Sequence, residues 1–307
     1  MSSTYDVLIV GSGPAGLTAG IYASRYQLKT LIVSSVLGGT LSKAHQICNY
    51  PSWSKISGRE LAVKFQEHAK IAGAQIKSGI VAAIEKDKNF FKINTQAGKE
   101  YQAKTLLLAT GMEHRQLNLA SEQEYLGKGV SYCFTCDGMF FKGKTVAVAG
   151  GSDAAITAAL YFSEICPQVY LIYRGKKLRA EPAWINLFNA KKNISAIYNS
   201  NIIQLKGKNK LEAVILDREF AGKKELACDG LFVEIGGEPN RKLSQMLGLE
   251  LDEDGYIKTS SAGRTNVDGV WAAGDLVIAS KGFRQIITAC SQGAQAARDI
   301  FGYLQQK

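Results

Sequence analysis

Apolar runs and glycine-rich turns follow one another along this chain in an order that repeats. Tyr5–Val10 (YDVLIV) is a β-branched apolar run of the kind buried in a parallel sheet. The turn Gly11-Ser12-Gly13-Pro14-Ala15-Gly16 follows it, then a helical stretch from Leu17 to Arg25 and a second strand, Lys29–Val33. The pattern predicts a βαβ unit. It recurs once, as the strand Thr145–Ala149 (TVAVA), the turn Gly150-Gly151-Ser152-Asp153-Ala154-Ala155, a helix over Ile156–Ile165 and the strand Val169–Tyr173 (VYLIY). In the last third, Thr265–Asp275 (TNVDGVWAAGD) predicts a strand ending in Gly274-Asp275, then a loop and a helix from about Gln285. No apolar run reaches the roughly eighteen residues of a membrane span.

Each glycine of the first turn has a physical task. Gly11 allows the tight turn, Gly13 lets the backbone approach a pyrophosphate, and Gly16 lets helix and strand pack closely. The free N–H groups and dipole of the helix start then favour phosphate. Strand, turn and helix stand in the order that dinucleotide binding requires. The second turn reads GxSxxA. Ser152 takes the second-glycine position, where its side chain either crowds a pyrophosphate or hydrogen-bonds to it. The basic stretch Arg174-Gly175-Lys176-Lys177-Leu178-Arg179 follows the next strand, where an adenosine ribose would lie. A plain α/β crossover without ligand is the alternative there. Asp275, just before a helix, is either a cap or a ligand contact.

Composition narrows the class. The chain has 307 residues, 46% hydrophobic and 21% charged, enough for two domains with ordinary cores at about 150 residues each. The N-terminus lacks a basic start and a cleavage site and runs straight into a strand, so a cytoplasmic protein is expected. The six cysteines (48, 133, 136, 166, 228 and 290) then argue against a structural disulfide framework. Four of them are scattered among apolar neighbours and are expected to be small core residues. The net charge of +10 favours acidic partners through steering. Lys and Arg are dispersed and no nucleic-acid module is present. No nucleic acid and no membrane are expected as partners, and no linker or low-complexity segment appears.

The exception among the cysteines is Cys133-Phe134-Thr135-Cys136. Two thiols at this spacing can open and close as a disulfide, and a helix start lowers a cysteine pKa so that thiolate is available near neutral pH. A zinc site needs two more ligands, and neither a second CxxC nor HxxxH exists, so no metal is expected. His45, His68 and His114 have no partner pattern and are read as surface or packing residues. Phe140-Phe141 is expected in the core, with an exposed aromatic surface for partner docking as the alternative.

Together these motifs resemble the low-molecular-weight thioredoxin reductases, a class of flavin disulfide reductases. The resemblance rests on GSGPAG at 11–16, GG at 38–39, NYP at 49–51, LLLATG at 106–111, GKGVSYCFTCDG at 127–138, the turn at 150–155, and TNVDGVWAAGD at 265–275 followed by Arg284-Gln285. It implies an α/β protein of two Rossmann-like, three-layer ββα nucleotide-binding domains, the second inserted into the first. Residues 1–114 and 244–307 would bind FAD, and 115–243 would bind NAD(P) and carry the CxxC. It implies Gly11, Gly13, Pro14, Ala15, Gly16, Gly38, Gly39, Thr40, Asn49, Thr110, Gly111, Gly274, Asp275, Arg284 and Gln285 at FAD. Gly150, Gly151, Ser152, Asp153, Ala154, Arg174 and Arg179 would hold NADP. Cys136 would face the flavin, Cys133 would attack the substrate disulfide, and Asp137 would act as acid and base.

Three departures stand out. Thr40 replaces a common glutamine, and Ser34 stands where an acid often holds the ribose. In the family's HRRxxxR segment for the 2′-phosphate, Tyr173 replaces the histidine and Gly175 the middle arginine. Arg174 and Arg179 remain, with Lys176 and Lys177 adding charge. The implied reaction passes electrons from NADPH through FAD and the dithiol to thioredoxin, in a homodimer. Alternatives are a related reductase fed by NADH, ferredoxin or reduced flavin, one serving another thioredoxin-like partner, and a non-catalytic redox sensor on the same scaffold.

Overall fold

The computed structural model describes residues 4–87 and 90–307. The chain divides into two compact units, one of Met1–Ser42, Ile47–Glu113 and Glu238–Lys307, the other of Lys43–Gln46 and His114–Gly237. Among the described residues no helix is long and apolar enough to cross a membrane.

The first unit is built on a seven-stranded sheet. β1 (Tyr5–Val10) lies between β2 (Thr30–Ser34) and β6 (Glu100–Leu108), parallel to both, and β3 (Gln75–Ser78) extends the parallel part beyond β2. β4 (Val81–Asp87) and β5 (Phe90–Thr95) add an antiparallel meander. β6 divides its far edge: residues 100–103 pair with β5, and 106–108 pair in parallel with the strand Val270–Ala272. Alternate residues of β1 face opposite cores. Val7 and Ile9 pack with helix α1 (Pro14–Arg25), Leu8 and Val10 with Ile84, Phe91 and Ile93 of the meander.

Helix α1 starts at Pro14, earlier than the apolar pattern suggests, because Gly13 caps it and Pro14 at its first position has its φ already set. Its buried residues Leu17, Ala19 and Ala23 share a core with Ala289, Ala296 and Ile300 of the C-terminal helix Ile286–Gln305. That approach is close enough to require Gly293, where a Cβ would lie 2.1 Å from the Ala15 carbonyl oxygen.

The second unit holds an all-parallel five-stranded sheet. β7 (Val130–Ser131), β8 (Thr145–Ala149), β9 (Gln168–Tyr173), β10 (Ile194–Tyr198) and β11 (Gly230–Val233) lie in the order β10-β9-β8-β11-β7. Helix α2 (Asp153–Ile165) covers one face, where Ala155, Ile156, Ala159 and Phe162 meet Val146 and Val148. An antiparallel sheet of Ile202–Lys206, Ala213–Phe220 and Lys223–Ala227 covers the other, with Leu205, Val214 and Leu216 against Ala147 and Ile172. The three-layer ββα expectation holds.

Two sequence expectations do not survive. Phe140 is 74% exposed. The short turn Gly138–Phe141 directs only Phe141 inward, edge-on to Phe232 with ring centroids 5.2 Å apart. Cys166, Cys228 and Cys290 are buried as their neighbours imply, but Cys48 is exposed, on an irregular segment after the short helix Gly39–Lys43 that supplies no core face.

Candidate functional site

Cys133 and Cys136 are joined as a disulfide, with Cα atoms 5.3 Å apart. A single helical turn, Phe134–Asp137, creates that approach. Cys133 caps it, and its carbonyl accepts from the Cys136 and Asp137 N–H groups at 3.2 and 3.1 Å. Phe134 is buried against Tyr161 and Phe162 and fixes the turn to the core. Cys133 is half-buried and Cys136 exposed.

Asp137 is held by a residue that sequence reasoning missed. The Ser131 hydroxyl donates to Asp137 Oδ2 at 2.7 Å and accepts the Cys133 N–H at 3.0 Å. It thereby ties the carboxylate to the backbone of the first cysteine.

Further titratable groups gather in this unit. Buried Glu122 accepts the Leu117 and Asn118 N–H groups at 3.1 and 2.9 Å and the Tyr132 hydroxyl. Burial and this bond raise the Tyr132 pKa. Lys43 Nζ lies 2.9 Å from His114 Nε2. Burial, then the lysine charge, hold His114 below its usual value, so its ring accepts as the neutral form. Glu234, just beyond β11, is 9% exposed, and burial pushes its pKa up to about 7 against the opposing charge of Lys43. No motif announces these: Glu122 is met by its near neighbours Leu117, Asn118 and Tyr132, whereas His114 and Glu234 meet Lys43 from a distant segment.

In the first unit the glycine turns converge. Gly11 has φ of 111°, and a Cβ there would lie 2.2 Å from the Ala109 carbonyl oxygen; one at Gly16 would lie 2.0 Å from that of Gly11. Gly13 differs. A Cβ on it would meet nothing nearer than the Gly38 carbonyl oxygen at 3.9 Å, and Gly39 faces it from the loop after β2. No side chain caps the helix that starts there. Backbone donors and an open surface therefore coincide, which fits the pyrophosphate of FAD. Gly274 adjoins Ala15, since a Cβ on it would lie 3.0 Å from the Ala15 Cβ. Asp275 is half-buried, and desolvation raises its pKa against the opposing charge of Arg284. Asn49 Nδ2 donates to Gln285 Oε1 at 3.2 Å, joining two predicted site residues 236 positions apart. Thr40 is exposed, and Thr110 and Gly111 are half-exposed just beyond β6.

In the second unit, a Cβ at Gly150 would lie 2.2 Å from the Glu234 carbonyl oxygen. Ser152 caps α2 through its backbone, without a side-chain bond. The basic loop folds back onto the turn: the Arg179 N–H donates to the Gly151 carbonyl at 2.7 Å, and the Glu181 N–H to Asp153 Oδ1 at 2.7 Å. Arg174, Arg179 and Ala154 are exposed.

The family model for pyridine nucleotide-disulphide oxidoreductases matches residues 5–293. A thioredoxin reductase of Treponema pallidum is 41% identical over 307 residues, covering 99% of this chain and 98% of that protein. One from Bacillus subtilis is 36% identical, covering 98% and 95%. The crystal structure of Lactococcus lactis thioredoxin reductase, in its FR conformation, superposes with a TM-score of 0.93 at 36% identity, over 99% of this chain and 100% of that one.

Proposed function

The chain belongs to the pyridine nucleotide-disulphide oxidoreductase family, and from that premise we propose its reaction: an FAD-dependent reduction of thioredoxin disulfide by NADPH, through Cys133 and Cys136. The observation that carries this reading is the Cys133–Cys136 disulfide, with Asp137 beside it on the same helical turn. We assign FAD to the first unit and NADPH to the second. The chemistry that bound FAD supplies is exchange of two electrons between a nicotinamide and a disulfide.

The remaining work falls to this chain's own residues. The open backbone at Gly13 and Gly39, the α1 N-terminus and Asp275 bind the cofactor, and Asn49 with Gln285 borders it. In the dithiol state, Asp137 takes the Cys133 thiol proton, and the resulting thiolate attacks the disulfide of thioredoxin. A mixed disulfide forms as the substrate S–S bond breaks, and the departing thiolate takes a proton from Asp137. Cys136 then attacks the Cys133 sulfur. The second substrate thiolate leaves and takes up the proton that the Cys136 thiol gives up, and the Cys133–Cys136 disulfide is restored. Ser131 keeps the Asp137 carboxyl beside Cys133 through both exchanges. The protein is a homodimer in this reading. It works in the cytoplasm, where a dithiol cycle can be kept reduced.

The test is anaerobic stopped-flow reduction of the bound flavin by NADPH, NADH and reduced ferredoxin in parallel, with thioredoxin turnover read in Cys133→Ser and Cys136→Ser. Each variant should lose thioredoxin reduction entirely while retaining FAD. Turnover surviving in both would remove the dithiol from the reaction. Reduction by ferredoxin alone would replace NADPH as donor.

A further inference from the structure

Donor recognition in the second unit, on the reading that NADPH is the donor, depends on the corner where β9 ends. Register locates it. Val10 of β1 pairs with Val33, and Ala149 of β8 pairs with Ile172. Ser34 and Tyr173 are therefore equivalent, each the next residue of the second strand. In such a unit this corner meets the adenosine ribose, through an acid for a 2′-hydroxyl or a cation for a 2′-phosphate. Tyr173 is neither, and it is only 8% exposed.

Its ring lies between two glycines. An ideal Cβ at Gly151 would stand 2.5 Å from Cδ2 and 2.6 Å from Cε2; one at Gly175 would stand 2.6 Å from Cε1, 2.7 Å from Cζ and 2.8 Å from the hydroxyl oxygen. A side chain at either glycine would therefore have to displace the same ring. The backbone cannot yield easily. The Gly175 carbonyl accepts the Asn199 N–H at 3.1 Å, the Tyr173 carbonyl the Ser200 N–H at 3.2 Å, and the Gly151 carbonyl the Arg179 N–H at 2.7 Å. Arg174 and Arg179 are exposed at the rim of this loop, and neither guanidinium is in an ion pair among the described residues.

We propose that Tyr173 and Gly175 form one specificity element. The ring occupies the volume any side chain at 175 would need, so the 2′-phosphate corner has Arg174 and Arg179 without a middle arginine, and Lys176 and Lys177 add charge there only as point ammonium groups. Preference for NADPH over NADH is consequently shallow, and it deepens only when both positions are exchanged together. A histidine at 173 lacks the Cζ–OH end that blocks position 175, and an arginine at 175 then has room to reach the phosphate bidentately.

The experiment compares wild type, Gly175→Arg, Tyr173→His and the double variant, all loaded with FAD. Binding of adenosine 2′,5′-bisphosphate is measured by calorimetry, Tm by scanning, and kcat/KM for NADPH and NADH by turnover. Gly175→Arg alone should lower Tm and bind the bisphosphate no tighter than wild type. The double variant should regain Tm and bind it roughly ten- to a hundredfold tighter, the range of a charge-assisted phosphate contact, with a matching gain in NADPH preference. Equal tightening by Gly175→Arg alone, at unchanged Tm, overturns the proposal. Should that variant not fold, Gly175→Ala carries the test. It should lower Tm beside Tyr173 and leave it unchanged beside Tyr173→Ser, and equal losses in both backgrounds overturn the coupling. Wild type reduced by neither nucleotide would instead overturn the donor reading, which the Tm coupling does not depend on.

Discussion

The two glycine turns occupy the same place in two βαβ units and are finished in opposite ways. After Gly11 the first turn has Ser12, whose hydroxyl donates to the Val36 carbonyl at 3.0 Å, and the Ser34 hydroxyl donates to the same carbonyl at 3.1 Å. Two small side chains hold the loop beyond β2 and leave the surface over Gly13 open. The second turn has Gly151 in place of Ser12, and the Tyr173 ring fills what the missing side chain leaves. Its next position is Ser152, so even the pyrophosphate face carries a Cβ. The same fold thus presents one open turn and one partly filled turn, which the proposed assignment gives to the resident cofactor and to the donor. A bound cofactor must stay through every cycle, whereas a nucleotide donor must leave after each. A less open second site suits the shorter residence.

The largest effect should come from the third glycine position. Gly16→Ala puts a methyl group 2.0 Å from the Gly11 carbonyl oxygen, a backbone atom within the turn itself. The second turn carries Ala155 there, fully buried and accommodated. Gly16→Ala should therefore give protein that retains no FAD and loses the melting transition of the first unit. Ala155→Gly should fold, at a cost of about 1 kcal/mol. Flavin content and calorimetry read both. Retention of FAD in Gly16→Ala would mean that the first turn is no tighter than the second.

A subtler contrast separates ligand from fold. Gly13→Ala adds a methyl group that meets no protein atom within 3.8 Å, its nearest neighbour being the Gly38 oxygen at 3.9 Å. It should leave the Tm of the FAD-free protein unchanged and weaken FAD binding at least tenfold, by crowding the pyrophosphate. Gly151→Ala should do the reverse, lowering Tm through its clash with the Tyr173 ring whether or not nucleotide is present, with Tyr173→Ser restoring it. Equal Tm losses in Gly13→Ala and Gly151→Ala would erase the distinction between open and filled turns.

How far the sequence carried these conclusions depends on where each signal resides. The βαβ order, the open Gly13 and the dithiol turn are local patterns, legible because strand, turn and helix follow one another within some thirty residues. The helix starts were read three residues late in both units, since Pro14 and Asp153 look like turn residues yet already have helical backbone. For Phe140 the sequence leaves a core and an exposed reading open, because both share one signature and only the turn's direction separates them. Gly175 reads as a lost arginine, and only the folded structure shows that the Tyr173 ring, which also lies against Gly151, takes up the space beside it. Ser131 lies two residues from Cys133, and its bond to Asp137 depends on a helical turn whose geometry no motif encodes. The two-unit fold was therefore accessible from pattern, while the contacts that tune each site depend on tertiary packing.

The comparison reaches one position further. A Cβ at Gly11 would strike the carbonyl of Ala109, and one at Gly150 the carbonyl of Glu234, each at 2.2 Å. Ala109 and Glu234 are thus equivalent residues, each just beyond the strand beside the turn, one a methyl group and the other a buried carboxyl. Burial raises the Glu234 pKa from 4.5 to about 7. Between those values the folded protein keeps a proton that the unfolded chain has released. Stability contributed by Glu234 is therefore greatest below about pH 4.5 and falls as pH rises through 7, by up to about 3 kcal/mol in all. Glu234→Gln has the neutral side chain at every pH. It should match wild type near pH 4.5 and gain on it steadily until about pH 7, after which the difference stays constant. Urea unfolding of the second unit at a series of pH values measures this. Ala109→Ser, the control in the first unit, should run parallel to wild type throughout. A Glu234→Gln profile that also ran parallel would show that the carboxyl is ionised in the folded protein, its charge met by Lys43, and would remove this difference between the two turns.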